Sequence, residues 1–175
     1  MIEVSLYEPE IAGNVGNIIR TCLCLGASLS IIGYTPFDIT DKSLKRAGMD
    51  YALGFPIVKY PDIEAFDKAH VGKIVYYVTR YGVSCYAKRD LTGAGKDVCL
   101  MFGRESTGIP KEVLKDHLDM TVRIPMVAEA RALNLANSVA IVLSECQRQR
   151  DFKGLSYLET IKGPDFLKNW KPTNK

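Results

Sequence analysis

A chain of 175 residues that is 47% hydrophobic and 25% charged can bury one good core, and no stretch of it reaches the apolar length of a membrane span. Its five cysteines, Cys22, Cys24, Cys85, Cys99 and Cys146, form no Cys-x-x-Cys pair and are joined by only two histidines, which argues for reduced thiols and against a metal site. The net charge of +3 divides unevenly, because Gln147 to Lys175 hold seven Lys or Arg against three Asp or Glu, a balance of +4 that leaves −1 for the rest. A basic tail on a near-neutral body fits a phosphate-rich partner through counterion release, and fits a solvated terminal segment equally well.

Met1 opens directly into the alternating run Ile2-Glu3-Val4-Ser5-Leu6, without the basic leader and apolar stretch of a secretory signal, so a cytoplasmic location is expected. Ile2 to Leu6 reads as a first strand. Glu8 to Arg20 is then a polar glycine turn running into a helix predicted over Asn17 to Leu25. Gly13 and Gly16 permit close backbone approach there, and Asn14 is placed to cap the helix. In a helix beginning near Asn14, Ile18, Ile19, Cys22 and Leu23 form the buried stripe. Arg20 lies off that stripe, facing either a cleft or plain solvent.

Ser28 to Ile32 and Ile74 to Thr79 read as strands, and Lys42 to Ala47 and Ile63 to Ala69 as helices. Thr92-Gly93-Ala94-Gly95-Lys96-Asp97 has a phosphate-binding look, but a Walker loop needs glycine at Asp90 and a hydroxyl at Asp97; it is a turn. The spacing around Gly13 and Gly16 is not Gly-x-Gly-x-x-Gly, so a dinucleotide site is disfavoured. Neither a Gly-x-Ser-x-Gly elbow nor His-Glu-x-x-His occurs, which lowers the odds of a hydrolase or zinc peptidase.

Strand Val98 to Phe102 leads into Gly103-Arg104-Glu105-Ser106-Thr107-Gly108, a turn that offers backbone N–H groups and hydroxyls to a ligand. Glu105 is placed to accept from a ligand amine, to orient Arg20, or simply to pair with Arg104. Helix Lys111 to Asp116 and strand Thr121 to Ile124 follow. Arg131-Ala132-Leu133-Asn134-Leu135-Ala136-Asn137-Ser138 then enters an apolar helix over Leu135 to Arg148. Leu133 and Asn134, near the backbone of Ile124, Pro125 and Met126, give an apolar and amide-rich lining suited to adenine and ribose.

Strands alternating with helices predict an α/β fold, a mostly parallel sheet flanked by helices with ligands beyond the carboxyl ends of the strands. No repeat or linker precedes the end of the chain, where Gly154, Gly163, Pro164 and Pro172 loosen the pattern. The expected organisation is one domain over 1–154 and a basic tail over 155–175.

Tyr7-Glu8-Pro9-Glu10-Ile11 with Gly13 to Arg20, Phe102-Gly103 with Glu105 and Gly108-Ile109-Pro110, and Ile124-Pro125-Met126 with Arg131, Leu133-Asn134-Leu135 and Asn137 resemble the three ordered motifs of SPOUT-class RNA 2′-O-methyltransferases. The resemblance runs from Met1 to about Gly154 and is strongest to the small TrmL (YibK) type, which methylates the wobble ribose of tRNA. Lys45 to Tyr51 adds to it. The resemblance implies a C-terminal trefoil knot, S-adenosylmethionine bound in the knot loops, and a homodimer with its sites at the interface. Unknotted chains are the general rule, so the knot is implied by likeness alone.

By motif position, the resemblance places Val78, Gly103, Ile124, Ala132 and Leu133 around the cofactor. It places Arg20, Glu105 and Asn134 among the catalytic or ribose-positioning groups. The implied substrate is the ribose 2′-hydroxyl of nucleotide 34, a cytidine or modified uridine in the anticodon stem-loop, with leucine tRNAs expected. Guanidinium is effectively never deprotonated in proteins, so Arg20 is assigned to clamping the adjacent phosphate and steadying the alkoxide. Water, Glu105 and the phosphate itself are left as proton acceptors.

The chain departs from its relatives at Ala132 and Ala136, where serines are usual, at Ser144 in place of a tyrosine, and at Val15 in place of a threonine. Each lost hydroxyl bond would cost about 0.5–1.5 kcal/mol. Two other readings remain: an RNA-binding module of the same fold with weak or lost catalysis, and a doubly wound nucleotide-binding protein without a knot. The helix Leu135 to Cys146, with Val139, Ile141, Val142 and Leu143 too many for one face of a peripheral helix, is expected to pack partly in the dimer interface; the alternative is that it is simply central to the protomer core.

Overall fold

The structure, a computed structural model, describes residues 1–40 and 54–172. Its strands are β1 (Ile2–Tyr7), β2 (Ser28–Ile32), β3 (Ile57–Tyr60), β4 (Ile74–Val78), β5 (Ser84–Cys85), β6 (Val98–Phe102) and β7 (Thr121–Arg123). The helices are α1 (Ala12–Leu25), α2 (Ile63–Ala69), α3 (Lys111–Asp116), α4 (Leu135–Gln149) and α5 (Phe166–Asn169). The described strands form one sheet in the order β3-β2-β1-β6-β4-β7-β5, and every pairing is parallel. The predicted helix Lys42 to Ala47 and the Lys45 to Tyr51 segment lie outside the described residues.

All five residues of β6 are buried, as expected of a central parallel strand covered on both faces. The two-residue period sends Val98, Leu100 and Phe102 into a core shared with Val15, Ile18, Ile19 and Cys22 of α1 and Val139, Val142 and Leu143 of α4. Cys99 and Met101 meet Phe66 of α2 and Leu114 of α3 on the other face. The apolar side chains of α4 are thus spent mostly inside the protomer: Val139, Val142, Leu143 and Cys146 are fully buried there, and Ala140 and Ile141 are partly exposed.

The first helix corrects three expectations. It begins at Ala12, five residues before the predicted Asn17, and Ile11 at its cap position offers no side-chain hydrogen bond. Asn14 lies inside the first turn and is buried, so it does not cap the helix. Leu23 is 43% exposed and leaves the buried stripe to Ile18, Ile19 and Cys22. Gly26 ends the helix at φ 63°, its N–H bonded to the Cys22 carbonyl, a left-handed closure that glycine adopts without steric penalty.

A polar knot lies within the second face. The Ser5 hydroxyl is 2.6 Å from the Ser30 hydroxyl and 3.1 Å from the Cys99 sulfur. Glu3 sits 3.0 Å from His70 Nε2 and accepts from Lys73 Nζ at 3.1 Å. Burial opposes ionisation of Glu3, but hydrogen bonds from Ser30, His70 and Lys73 and the His70 charge prevail and hold its carboxyl below the usual range. Burial raises the thiol pKa of Cys22 to about 12 and of Cys146 to about 11, which keeps both unreactive.

The sheet order contains one unusual crossing. β7 lies between β4 and β5, although residues 79–83 join those two strands directly. That turn therefore passes over β7. Gly82 rests on it so closely that a Cβ would stand 2.3 Å from the Val122 carbonyl carbon.

Candidate active site

The carboxyl ends of β4, β6 and β7 open into a cavity of about 590 Å³, within the size range of small-molecule sites. Val78, Ile124, Met126 and Leu133 give it apolar walls, and Glu105, Asn134 and Ser138 supply polar groups. Seven of the eight site residues expected from sequence line this one space: Val78, Gly103, Ile124, Ala132, Leu133, Glu105 and Asn134. Arg20 does not line it. Arg20 lies six positions beyond Asn14, about 9 Å along α1 and turned by about 120°, on the exposed side of the helix.

The three motifs are fastened together by amide and carboxylate groups. Glu105 accepts from the Glu10 backbone N–H at 2.8 Å and from Asn14 Nδ2 at 2.8 Å, instead of orienting Arg20. Asn14 Oδ1 in turn accepts from Asn134 Nδ2 at 3.0 Å. The Asn134 Oδ1 takes the N–H groups of Ala136 and Asn137 at 2.9 and 3.2 Å, so Asn134 is the N-cap of α4 as well as the link to α1. A second clasp runs alongside: Ser106 donates through its N–H and hydroxyl to Glu10, and Arg104 pairs with Glu8. Both carboxylate oxygens of Glu105 are thus satisfied within the protein.

Asn14 was not among the site residues read from sequence. Its place between Gly13 and Gly16 is the available signal, and in the sequence that spacing reads as a helix cap. Gly103, which lines the cavity as expected, is also closely enclosed by the backbone. A Cβ there would meet the Gly108 carbonyl carbon and the Ile109 nitrogen at 2.1 Å, so the missing side chain lets the loop fold back on itself before any ligand arrives. Thr92 to Asp97 forms a short turn capped by Thr92 and takes no part in the cavity lining.

Among the described residues, one group of side chains has metal-capable chemistry, Glu3, His70 and Cys99, with donor atoms within 4.8 Å of one another. Those atoms already have hydrogen-bond partners: the His70 ring nitrogens meet Glu3, within the group, and the Phe66 carbonyl, and the Cys99 sulfur meets Ser5. No helix among the described residues is long and apolar enough to cross a membrane.

Comparisons with known proteins bear on this geometry. A Geobacillus stearothermophilus protein provisionally named a tRNA (cytidine(34)-2′-O)-methyltransferase is 41% identical over 155 residues, 89% of this chain and 99% of its own. A solved structure described as giving insights into the 2-OH methylation of C/U34 on tRNA superposes with a TM-score of 0.76 at 34% identity, covering 86% of this chain and 97% of that one. An AdoMet-bound rRNA methyltransferase from Sinorhizobium meliloti gives a TM-score of 0.72 at 30% identity, over 84% of this chain and 56% of its own. The model of the SpoU rRNA methylase family matches residues 1–144, a span that holds every strand of the sheet and the whole cavity, and the chain belongs to that family.

Proposed function

We propose that the chain methylates the ribose 2′-hydroxyl of nucleotide 34 in the tRNA anticodon stem-loop, a cytidine or modified uridine, with S-adenosylmethionine as donor. The observation that carries this reading is the convergence of three distant motifs on one cavity through the Glu105–Asn14–Asn134 chain of hydrogen bonds. The cavity fits the donor in chemistry: its apolar walls at Val78, Ile124 and Leu133 suit an adenine face, and strand-end backbone and amide groups suit ribose and amino-acid polar atoms. S-adenosylmethionine, when bound, supplies an electrophilic methyl group.

The protein's part is to orient the 2′-hydroxyl, exclude competing water, and stabilise the charge that develops on the oxygen. Glu105 and Asn134, with their hydrogen-bonding atoms committed to Glu10, Asn14 and α4, act by fixing the shape of the loops. Arg20 is the group with permanent positive charge assigned to the phosphate and the developing alkoxide. Since it does not line the cavity of its own protomer, this role requires a site completed by a second copy of the chain. A homodimer with shared sites supplies that geometry. Exposed apolar side chains at Ile11, Leu23 and Val127 support such an interface better than α4, whose apolar stripe is already buried. The assembly proposed is cytoplasmic, with leucine tRNAs as substrates and residues 155–175 as a basic tail meeting RNA phosphates.

The knot implied by family likeness is part of the same reading, and β7 lying under the turn that joins β4 and β5 supports it. The test is methyl transfer from labelled S-adenosylmethionine to purified tRNA, with nucleotide mass spectrometry locating the product. Expected is a single new 2′-O-methyl group at position 34. RNA binding without transfer would favour the module with lost catalysis.

A further inference from the structure

We infer that Tyr81, at the mouth of the cavity, is a stacking platform for an unpaired RNA base beside the reacting ribose, an inference that rests on the methyl-transfer reading of the cavity. Tyr81 lines the rim yet is 58% exposed. Two cations attend the ring: Arg80 Cζ is 5.6 Å from its centroid and Lys111 Nζ 5.3 Å. Neither Tyr81 nor its setting is explained by the core, since the ring buries little.

The turn that carries the ring is fastened at several points. The Tyr81 N–H donates to Thr79 Oγ1 at 3.3 Å and the Gly82 N–H to the Thr79 carbonyl at 3.2 Å. The Val83 N–H donates to Thr121 Oγ1 at 3.1 Å, and Arg123 Nη1 to the Arg80 carbonyl at 3.1 Å. With Gly82 pressed on the backbone of Val122 and Arg123, the backbone under Tyr81 has little freedom. A fixed aromatic face held in water loses little conformational entropy when a flat partner covers it.

The chemistry of the partner follows from these groups. An unpaired base offers a π face of matching size, and stacking of bases on aromatic side chains is a general mode of single-strand RNA recognition. A base arriving on the ring would displace one of the cations, leaving Arg80 or Lys111 to pair with a flanking phosphate. The donor's adenine is served by the deeper apolar wall of Val78, Ile124 and Leu133. Tyr81 is thus a positioning residue for the substrate strand.

The experiment compares the wild-type chain with Tyr81→Leu and Tyr81→Phe in steady-state methyl transfer to tRNA, with calorimetry of S-adenosylmethionine binding. Loss of one stacked base is expected to raise KM for tRNA on the order of tenfold in Tyr81→Leu, with kcat at saturating tRNA and cofactor affinity unchanged. Tyr81→Phe should retain the wild-type KM. An anticodon-loop RNA with one abasic nucleotide at or beside position 34 should raise KM for wild type and not for Tyr81→Leu. An unaltered KM in Tyr81→Leu overturns the inference, as does a parallel fall in cofactor affinity, which would give the ring to the donor instead. A wild-type chain that binds tRNA but transfers no methyl group overturns the underlying reading, a result separable from either of these.

Discussion

Asn14 and Asn134, 120 residues apart, share a hydrogen bond of 3.0 Å that joins the first turn of α1 to the cap of α4. Because Asn134 Oδ1 already holds two backbone N–H groups of α4, one side chain sets both where that helix begins and where the cavity wall before it stands.

Asn134→Ala should therefore do two things. Loss of the cap costs about 1 kcal/mol of stability, in the usual range of 0.5–2, read as a lowered midpoint in chemical denaturation. Loss of the tie to Asn14 should weaken S-adenosylmethionine binding in calorimetry. Asn134→Asp retains a capping oxygen and removes the donor to Asn14, so it should keep most of the stability while still losing cofactor affinity. Equal cofactor affinity in both variants and wild type would leave Asn134 with the cap alone.

Arg20→Ala should lower kcat on the order of a hundredfold, as removal of a transition-state donor does elsewhere, with cofactor affinity intact. A site completed by a second copy makes a further demand. Mixing Arg20→Ala with a variant unable to bind cofactor, such as Leu133→Asp, should restore part of the activity, because one kind of site in the mixed dimer receives both intact halves. Two inactive parents that stay inactive when mixed, despite forming mixed dimers, would exclude the shared site.

Glu3 gives a pH dependence with a definite sign. Its carboxyl is held below the ordinary 4.5 in the folded protein, so its contribution to stability is fully present above that value. It is lost as pH falls through the folded pKa. Glu3→Gln should lower the thermal midpoint at neutral pH, and the gap from wild type should narrow as pH falls below about 4.5. A gap of constant size from pH 7 to pH 3 would mean that the charge on Glu3 contributes nothing.

For the tail, Lys162, Lys168 and Lys171 are the groups to neutralise with glutamine. Lys168 is paired with Asp165 at 2.7 Å and Lys162 lies 4.6 Å from the Phe166 ring centroid, so the three do not present equal charge. The plot of log affinity for tRNA against log salt should lose a slope of about 1 to 2, with single-turnover transfer at saturating tRNA unaltered. An unchanged slope would return these lysines to a solvated end.

Much of this architecture is legible in the residues. β1, β2, β4, β6 and β7 announce themselves as apolar runs bounded by turns, and α2, α3 and α4 appear close to their predicted limits. What escapes is short or half-exposed. β3 carries two exposed residues and an edge position, and β5 has only two residues, too few for any period. α1 starts early because packing of Asn14, Val15 and Gly16 fixes its first turn without a side-chain cap. The site residues drawn from motif likeness gather in one cavity except for Arg20, while Asn14 and Tyr81 emerge only in three dimensions. Asn14 matters through partners 91 and 120 positions away, a relation no local spacing encodes.

The place of β7 also governs timing. Among the described strands β5 pairs only with β7, through Ser84 with Val122 and Cys85 with Arg123, so that edge of the sheet cannot close while residues 121–123 are still inside a ribosome. The cavity wall at Ile124 and the cap at Asn134 come later still in synthesis. Ligand-binding competence therefore waits for residues 121–138: a nascent fragment ending before β7 can pair β1, β2, β4 and β6, yet lacks the cavity wall supplied by Ile124, Met126 and Leu133.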